Sequence, residues 1–179
     1  MEIERKYLVD INRWNNSVKG DKHYCRQGYI LNNQNINIRI RLVDGKGYLT
    51  IKGHVNKFSR LEFEYEIPVK DAEELLAKFC TSEINKIRYK VPYKGKVWEV
   101  DEFLSSNLGL IVAEIELTNE FESFDLPDWV YKEVTGDQKY YNFNLSILPY
   151  KNWQKDMWNF RLPKNAARAN PLTVGRYAC

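Results

Sequence analysis

Residues 36–43 read INIRIRLV, a run in which apolar residues alternate with polar ones. Because successive side chains of a β-strand point to opposite faces, Arg39 and Arg41 would lie on one face and Ile38 and Ile40 on the other. The stretch therefore predicts a strand with one apolar face and one strongly charged face.

The same alternation recurs in seven other stretches of the first 120 residues. Two short loops that contain glycine, residues 44–47 (DGKG) and 93–96 (YKGK), separate consecutive stretches and are typical of β-hairpins. Neighbouring strands are therefore predicted to be antiparallel. The seven further predicted strands are 2–9, 24–31, 47–53, 60–68, 84–92, 96–103 and 110–118.

Helical signals are few. Residues 71–80 have apolar positions at the spacing of an amphipathic helix, with Asp71 as the predicted N-cap. Shorter helical signals lie at 11–18, after Pro127 and at 140–145. Eight antiparallel strands can close into a barrel. The predicted fold is therefore α+β but mostly β, an eight-stranded antiparallel β-barrel with a few outer helices.

The chain has 179 residues, which is enough for one domain, and its twelve Tyr, eight Phe and five Trp are typical of a globular protein. We expect residues 1–153 to form this domain and residues 154–179 to form a basic, poorly ordered tail. No stretch has the 18 or so apolar residues that a membrane span needs, so a soluble, cytoplasmic protein is expected.

The charge is unevenly distributed. From residue 151 onward the net charge is +5, and because the whole chain carries +3, residues 1–150 are slightly acidic. A nucleic-acid binder needs a broad basic face, so this balance disfavours that class. The three cysteines are far apart and lack the C-x-x-C spacing of zinc or redox sites.

The charged faces of the predicted strands have an unusual composition. A solvated face is the ordinary explanation for a single strand, but here nearly every position is ionic, and like charges recur two residues apart. Acidic doublets supply the oxygen ligands that Mg²⁺ and Mn²⁺ prefer, and clustered Arg and Lys suit phosphate oxygens. A barrel with these faces inward would hold a polyphosphate together with a divalent metal. The acidic doublets are Glu2/Glu4, Glu62/Glu64, Glu99/Asp101 and Glu114/Glu116, and the basic set is Lys6, Arg39, Arg41, Lys52, Arg60, Lys86 and Arg88.

Several segments in order along the chain carry a resemblance to a known family. The segment EIERK resembles the E-x-E-x-K signature of the CYTH superfamily, the triphosphate tunnel metalloenzymes, and eight later segments are similar to that family in the same order. They are QGYI, IRIR, LTIKG, SRLEFEYEIP, KIRYKV, WEVDEF, AEIEL and EVTGDQKYYNFNLS. The resemblance implies an eight-stranded tunnel that binds a triphosphate and hydrolyses or cyclises it with a divalent metal.

The resemblance also implies roles for individual residues. Tyr29 and Lys52 match a pair near the scissile phosphate and are the expected catalytic residues. The expected cofactor is Mg²⁺ or Mn²⁺, with two ions. The expected triphosphate contacts are Lys6, Arg39, Arg41, Lys52, Arg60, Lys86 and Arg88. The expected metal ligands are Glu2, Glu4, Glu114 and Glu116, with Glu62, Glu64 and Asp101 as further ligands or water-positioning groups.

Several functions remain open at this point. Metal-dependent hydrolysis of inorganic tripolyphosphate, or of a nucleoside triphosphate, is expected first; the alternatives within the family are a thiamine triphosphatase and a class IV-type adenylate cyclase. The cyclase branch usually carries a His-Phe segment ahead of E-x-E-x-K, and here the motif begins at residue 2, which favours hydrolysis.

A different class is a binding protein that holds polyphosphate or a nucleotide without turnover, or an RNA-binding barrel. Phosphate binding alone would not require four acidic doublets, so an enzyme is preferred. The expected partner is a small triphosphate, with no nucleic acid and no membrane, and a homodimer is left open.

Overall fold

A computed structural model describes most of the chain. It covers residues 3–33, 35–56 and 59–153, without the side chains of residues 54–56, 59 and 60. The expectations for Glu2, for the Arg60 side chain and for the tail at 154–179 therefore lie outside the described residues.

The described chain contains nine β-strands, three α-helices and two short 3-10 helices, Ser105–Asn107 and Gln138–Tyr140. The helices are α1 (Ile11–Asn15), α2 (Val69–Phe79) and α3 (Asn142–Ile147). The strands are β1 (Ile3–Val9), β2 (Asp21–Asn32), β3 (Ile36–Val43), β4 (Lys46–Asn56), β5 (Ser59–Ile67), β6 (Glu83–Tyr93), β7 (Lys96–Phe103), β8 (Ile111–Leu117) and β9 (Val130–Glu133).

All nine strands form one antiparallel sheet in the order β5-β4-β3-β2-β6-β7-β8-β1-β9. The predicted mostly-β antiparallel fold with few helices is thus confirmed. The sheet has nine strands instead of eight, and within the described residues no ladder joins its end strands β5 and β9. Side chains from β1 through β8 nevertheless line one common cavity, which shows that the sheet is strongly curved.

The two predicted hairpin loops are confirmed by the pairing of β3 with β4 and of β6 with β7. In each loop two successive residues have positive φ: 48° at Asp44 and 79° at Gly45, then 44° at Lys94 and 81° at Gly95. Two consecutive residues of this kind form the tight turn whose twist matches that of the flanking strands. Each loop therefore fixes the register of its strand pair.

Helix α2 covers the outer face of β2, β3 and β4. Its buried Ala72 and Leu76 pack with Ile40 of β3. The helix begins two residues before the predicted start, and the predicted N-cap was wrong: the capping position is Pro68, and Asp71 lies in the first turn. An acidic residue there is still favourable, because it interacts with the positive end of the helix dipole.

One position under α2 has no space for a side chain. A Cβ at Gly28 would lie 2.8 Å from Cys80 Cβ and 3.0 Å from Leu76 Cδ2. We expect Gly28→Ala to lower the free energy of unfolding by about 1–3 kcal/mol, since overpacking forces the helix away from the sheet. Urea unfolding measures the change. Gly53→Ala is the control, because its nearest neighbour, Asn35 O, is 3.9 Å away; an equal loss in both variants would contradict this packing.

The predicted helix after Pro127 is wrong, since that segment forms a turn and then β9 beside β1. The two other short helical signals correspond to α1 and α3. Asp10 caps α1 by accepting bonds from Asn12 N at 2.9 Å and Arg13 N at 3.0 Å, which fixes the completely buried Trp14 in the outer core. Among the described residues, no helix has the length and apolar character that crossing a membrane requires.

Candidate active site

A cavity of about 300 Å³ lies on the concave side of the sheet. Its wall consists of the charged faces of the strands. The charged residues of the alternating sequence therefore face the cavity, and the apolar residues between them face away from it. Eleven of the expected site residues line it, contributed by β1, β3, β4, β5, β6 and β8. They are Glu4, Lys6, Arg39, Arg41, Lys52, Glu62, Glu64, Lys86, Arg88, Glu114 and Glu116.

A wider cavity of about 570 Å³ adjoins the inner one, shares Glu4, Lys6, Arg39, Lys52 and Asn142 with it, and is called the mouth here. Tyr29 lies in this mouth, where its hydroxyl accepts a bond from Gln27 Nε2 at 3.0 Å and its ring meets Phe143 edge-on at 5.3 Å. The Tyr29 phenol is protonated at neutral pH, and burial raises its pKa and so favours this form further. Tyr29 can therefore donate a hydrogen bond to an anion at the mouth.

Arg39 and Arg41 lie side by side in the inner cavity. An Arg39 terminal nitrogen donates to Thr50 Oγ1 at 3.2 Å, and one of Arg41 donates to Glu64 Oε2 at 3.0 Å. The Nε donors of both guanidiniums are buried without a hydrogen-bond partner. Burial and the neighbouring Arg41 charge lower the pKa of Arg39. Two half-buried guanidiniums, each with a buried and unsatisfied Nε donor, form a site that favours an anion with several oxygens.

Arg88 is held by a fully buried carboxylate. Its Nε and one terminal nitrogen donate to the two oxygens of Asp101, each at 2.7 Å, and Lys86 Nζ donates to Asp101 at 2.5 Å. Burial disfavours the ionised Asp101, but the Arg88 and Lys86 charges outweigh this and lower its pKa to about 2. Burial and Arg88 lower the pKa of Lys86. Asp101 therefore differs from the other expected metal ligands of the described part, because it is fully buried against these two cations and lines neither cavity.

The remaining acids also face cations. Lys52 Nζ lies 2.8 Å from Glu62 Oε2, and Glu64 receives the bond from Arg41. Lys6 donates to both Glu4 and Glu114, which come from adjacent strands. Burial and the Glu114 charge raise the pKa of Glu4. Burial alone would lower the pKa of Lys6, but Glu114 and Glu4 raise it.

The acids of the cavity can be compared with the ligand set of a divalent cation by their spacing and their chemistry. Among the described side chains, no group of three His, Cys, Asp or Glu lies close enough together to hold a metal ion. Glu4 and Glu114 do converge on one cation, the Lys6 ammonium, and Glu116 lies opposite Glu4 in the β1–β8 register. An all-carboxylate set of this kind has the chemistry that Mg²⁺ or Mn²⁺ requires. The donor chemistry of these carboxylates fits the implied metal, and Glu2, the other acid of the signature, lies outside the described part.

Several residues of the site were not predicted from the sequence. Gln27 is buried and lines the inner cavity, Thr50 is buried behind it and bonds Arg39 and Glu64, and Asn142 belongs to both cavities. A signal was present for the first two, since each lies two residues before an expected site residue, Tyr29 or Lys52, and so shares its face of the strand. Asn142 lies at the start of α3, where no strand periodicity applies.

Comparison with known proteins gives consistent matches. The family model described as the CYTH domain matches residues 1–146. An inorganic triphosphatase of Acetivibrio thermocellus is 48% identical over 155 residues, which cover 86% of this chain and 98% of that protein. A solved inorganic triphosphatase structure is 29% identical with a TM-score of 0.63, covering 82% of this chain and 95% of that one. A Pyrococcus horikoshii protein shares the fold, at 19% identity and a TM-score of 0.50, over 67% of this chain and 80% of its own.

Proposed function

The chain belongs to the CYTH domain family, and on that premise we propose that it hydrolyses inorganic tripolyphosphate with a divalent metal ion inside the curved sheet. The observation that carries this proposal is the pair of buried, unpartnered Nε donors of Arg39 and Arg41. A buried donor without a partner costs about 1–3 kcal/mol. A phosphate oxygen would satisfy each donor, so the cavity is organised for a polyanion. The A. thermocellus relative, named an inorganic triphosphatase, supports the same substrate.

The basic residues have distinct parts in this proposal. Arg39 and Arg41 bind phosphate oxygens directly. Arg88 contributes positive charge to the inner cavity, and we assign Asp101 as a positioning residue that holds Arg88 in one orientation through two parallel bonds. Lys86 is only 2% exposed, so its charge acts chiefly by keeping Asp101 ionised.

The acidic residues proposed to hold the metal are Glu4, Glu114 and Glu116 on the adjacent strands β1 and β8, with Glu2 of the same signature. Glu62 and Glu64 on β5 are proposed as further ligands or water-positioning groups. When bound, Mg²⁺ or Mn²⁺ neutralises phosphate oxygens and polarises water for attack on phosphorus. We propose two ions, as the resemblance implies.

Lys52 and Tyr29 are proposed to act on the reacting phosphate. Both line the mouth, next to the Arg39 that the two cavities share. The Lys52 ammonium can stabilise the charge that develops on the leaving oxygen, since in phosphoryl transfer catalysis consists mainly of positioning and electrostatic stabilisation. The protonated Tyr29 phenol can donate a hydrogen bond to the same group.

Phosphate release tests this function and separates it from the alternatives. The wild-type protein is incubated with tripolyphosphate, ATP or thiamine triphosphate, in Mg²⁺, Mn²⁺ or chelator, and cyclic AMP is measured in parallel. We expect metal-dependent release that is fastest from tripolyphosphate, with no cyclic AMP. Faster turnover of ATP or thiamine triphosphate would assign one of those substrates instead. Tight tripolyphosphate binding without release from any of the three would favour a binding protein.

Arg39→Ala is expected to raise the KM for tripolyphosphate by about tenfold or more, because a charge-assisted hydrogen bond contributes about 1.5–3 kcal/mol. The effect on kcat should be smaller, since Arg39 contacts the substrate before and during the reaction. Steady-state phosphate release measures both constants. Arg13→Ala is the matched control, as Arg13 is exposed and donates to Asp128 O at 2.9 Å on the outer surface. Equal KM values for the two variants would contradict a phosphate-binding role of Arg39.

A further inference from the structure

The ammonium of Lys6 lies between two carboxylates that are proposed metal ligands. It donates to one oxygen of Glu4 and to one of Glu114. The β1–β8 register places Lys6 directly opposite Glu114 and Glu4 opposite Glu116, so the contacts follow from the pairing of the strands. The side chains of Lys6 and Glu114 are each only 13% exposed, which leaves little water to replace either partner. A cation thus already holds the point where the two acids converge.

The other oxygen of Glu114, Oε2, accepts a bond from Arg88 at 3.2 Å, so a divalent cation and this ammonium compete for Glu114 Oε1. Both are hard cations, and like charges in a partly dry cavity repel strongly. When a divalent ion binds Glu4 and Glu114, the ammonium must give up those bonds, and an unpaired charge in such a site is costly. Its flexible four-carbon stem permits the move without a change in the backbone. The mouth cavity, which Lys6 also lines, is the adjacent space.

A triphosphate in that space would pair with the displaced ammonium. We propose that Lys6 is an exchangeable counter-ion: it neutralises Glu4 and Glu114 before a divalent ion binds, and it transfers to the phosphate chain when that ion takes its place. This inference rests on the proposed function. If the metal binds alone, the Lys6 ammonium loses its bonds to Glu4 and Glu114 and is left unpaired. If the phosphate binds alone and pairs with Lys6, the two carboxylates are left unpaired. Each ligand therefore pairs with the charge that the other leaves unpaired, so each one raises the affinity for the other. The two ligands bind with positive cooperativity.

Direct Mn²⁺ binding in the absence of any phosphate tests the exchange. Free Mn²⁺ is measured by electron paramagnetic resonance during titration of the wild type, of Lys6→Met and of Arg39→Met. We expect Lys6→Met to bind Mn²⁺ about fivefold tighter or more than the wild type, the lower end of typical coupling factors. Arg39→Met is the matched control, because it removes one positive charge from the same two cavities and, among the described residues, only a 3.6 Å ion pair with Glu64, without releasing Glu4 or Glu114. Its gain in affinity should be clearly smaller.

A second readout uses the wild-type protein alone. Acetylation by acetic anhydride, followed by mass spectrometry, reports how available each lysine amine is. Mn²⁺ without phosphate should increase the acetylation rate of Lys6, while Lys86, which binds Asp101 and not the proposed metal ligands, should change little.

The outcomes separate the two proposals. If the wild type binds Mn²⁺ but Lys6→Met binds it equally or more weakly, or Arg39→Met gains as much as Lys6→Met, the exchange is wrong while the metal site stands. An unchanged Lys6 acetylation rate with Mn²⁺ bound would likewise overturn the exchange. If the wild type binds no Mn²⁺, both the metal site and the exchange fail.

Discussion

Glu4→Gln is expected to lower metal-dependent phosphate release from tripolyphosphate by about a hundredfold or more. Glutamine keeps the shape of the side chain but removes the charge that the proposed metal and Lys6 share, and loss of even one neutral preorganised hydrogen-bond donor lowers kcat by about a hundredfold or more. The measurement is kcat at saturating tripolyphosphate over a range of Mn²⁺ concentrations. Partial recovery at high Mn²⁺ would be consistent with weaker metal binding.

Glu66→Gln is the matched control for this prediction. Glu66 is on β5, is 60% exposed and pairs with Lys46 at 3.6 Å on the surface, so its loss should leave kcat unchanged. If Glu4→Gln retains wild-type turnover at every Mn²⁺ concentration, Glu4 does not bind the catalytic metal.

Asp101→Ala is expected to destabilise the protein by about 3–5 kcal/mol, because it leaves the buried charges of Lys86 and Arg88 without their shared partner. The fraction of Asp101→Ala that remains folded should also hydrolyse tripolyphosphate more slowly, since Arg88 loses two of the bonds that orient it. Urea unfolding gives the first effect. Asp125→Ala is the control: Asp125 pairs with Lys94 on the surface, where both side chains are more than half exposed, and such pairs contribute about 0–1 kcal/mol. Similar losses in the two variants would contradict the account of Asp101.

The pH dependence of stability provides a further check on Asp101. Its pKa is about 2 in the folded protein and about 3.9 in an unfolded chain. The unfolded state therefore binds the proton more tightly, so the stabilisation is fully present above about pH 4 and is lost as the pH falls toward 2. Over this window the wild type should lose more unfolding free energy than Asp101→Asn does. Parallel pH curves for the two proteins would show that Asp101 is not held ionised.

Much of this fold could be predicted from local sequence. The alternation in INIRIRLV reports which face each side chain occupies, and the loops at Asp44-Gly45 and Lys94-Gly95 fix two hairpins. These signals depend on only a few neighbouring residues, so they can be recognised in the sequence without knowledge of the tertiary structure. Strand β9 had no such signal, because it is four residues long and depends on β1 for its hydrogen bonds.

The ion pairs of the site could not be predicted in the same way. Alternation places Asp101 and Glu114 on the charged face, but it does not say which cation each one meets. That depends on register between strands: Asp101 lies opposite Arg88 across β6 and β7, whereas Glu114 lies opposite Lys6 across β8 and β1. The sequence therefore identified the charged residues, whereas their ion pairs depend on the register between strands and became visible only in the structure.

The central claim is that a triphosphate is held on the concave side of the sheet by Arg39 and Arg41. A crystal structure of the wild-type protein soaked with tripolyphosphate, without divalent metal, tests it directly. The account predicts that phosphate oxygens accept hydrogen bonds from Nε of both arginines, which are unpartnered in the present structure. Tripolyphosphate bound elsewhere on the molecule, with both Nε donors still lacking a partner, would contradict it.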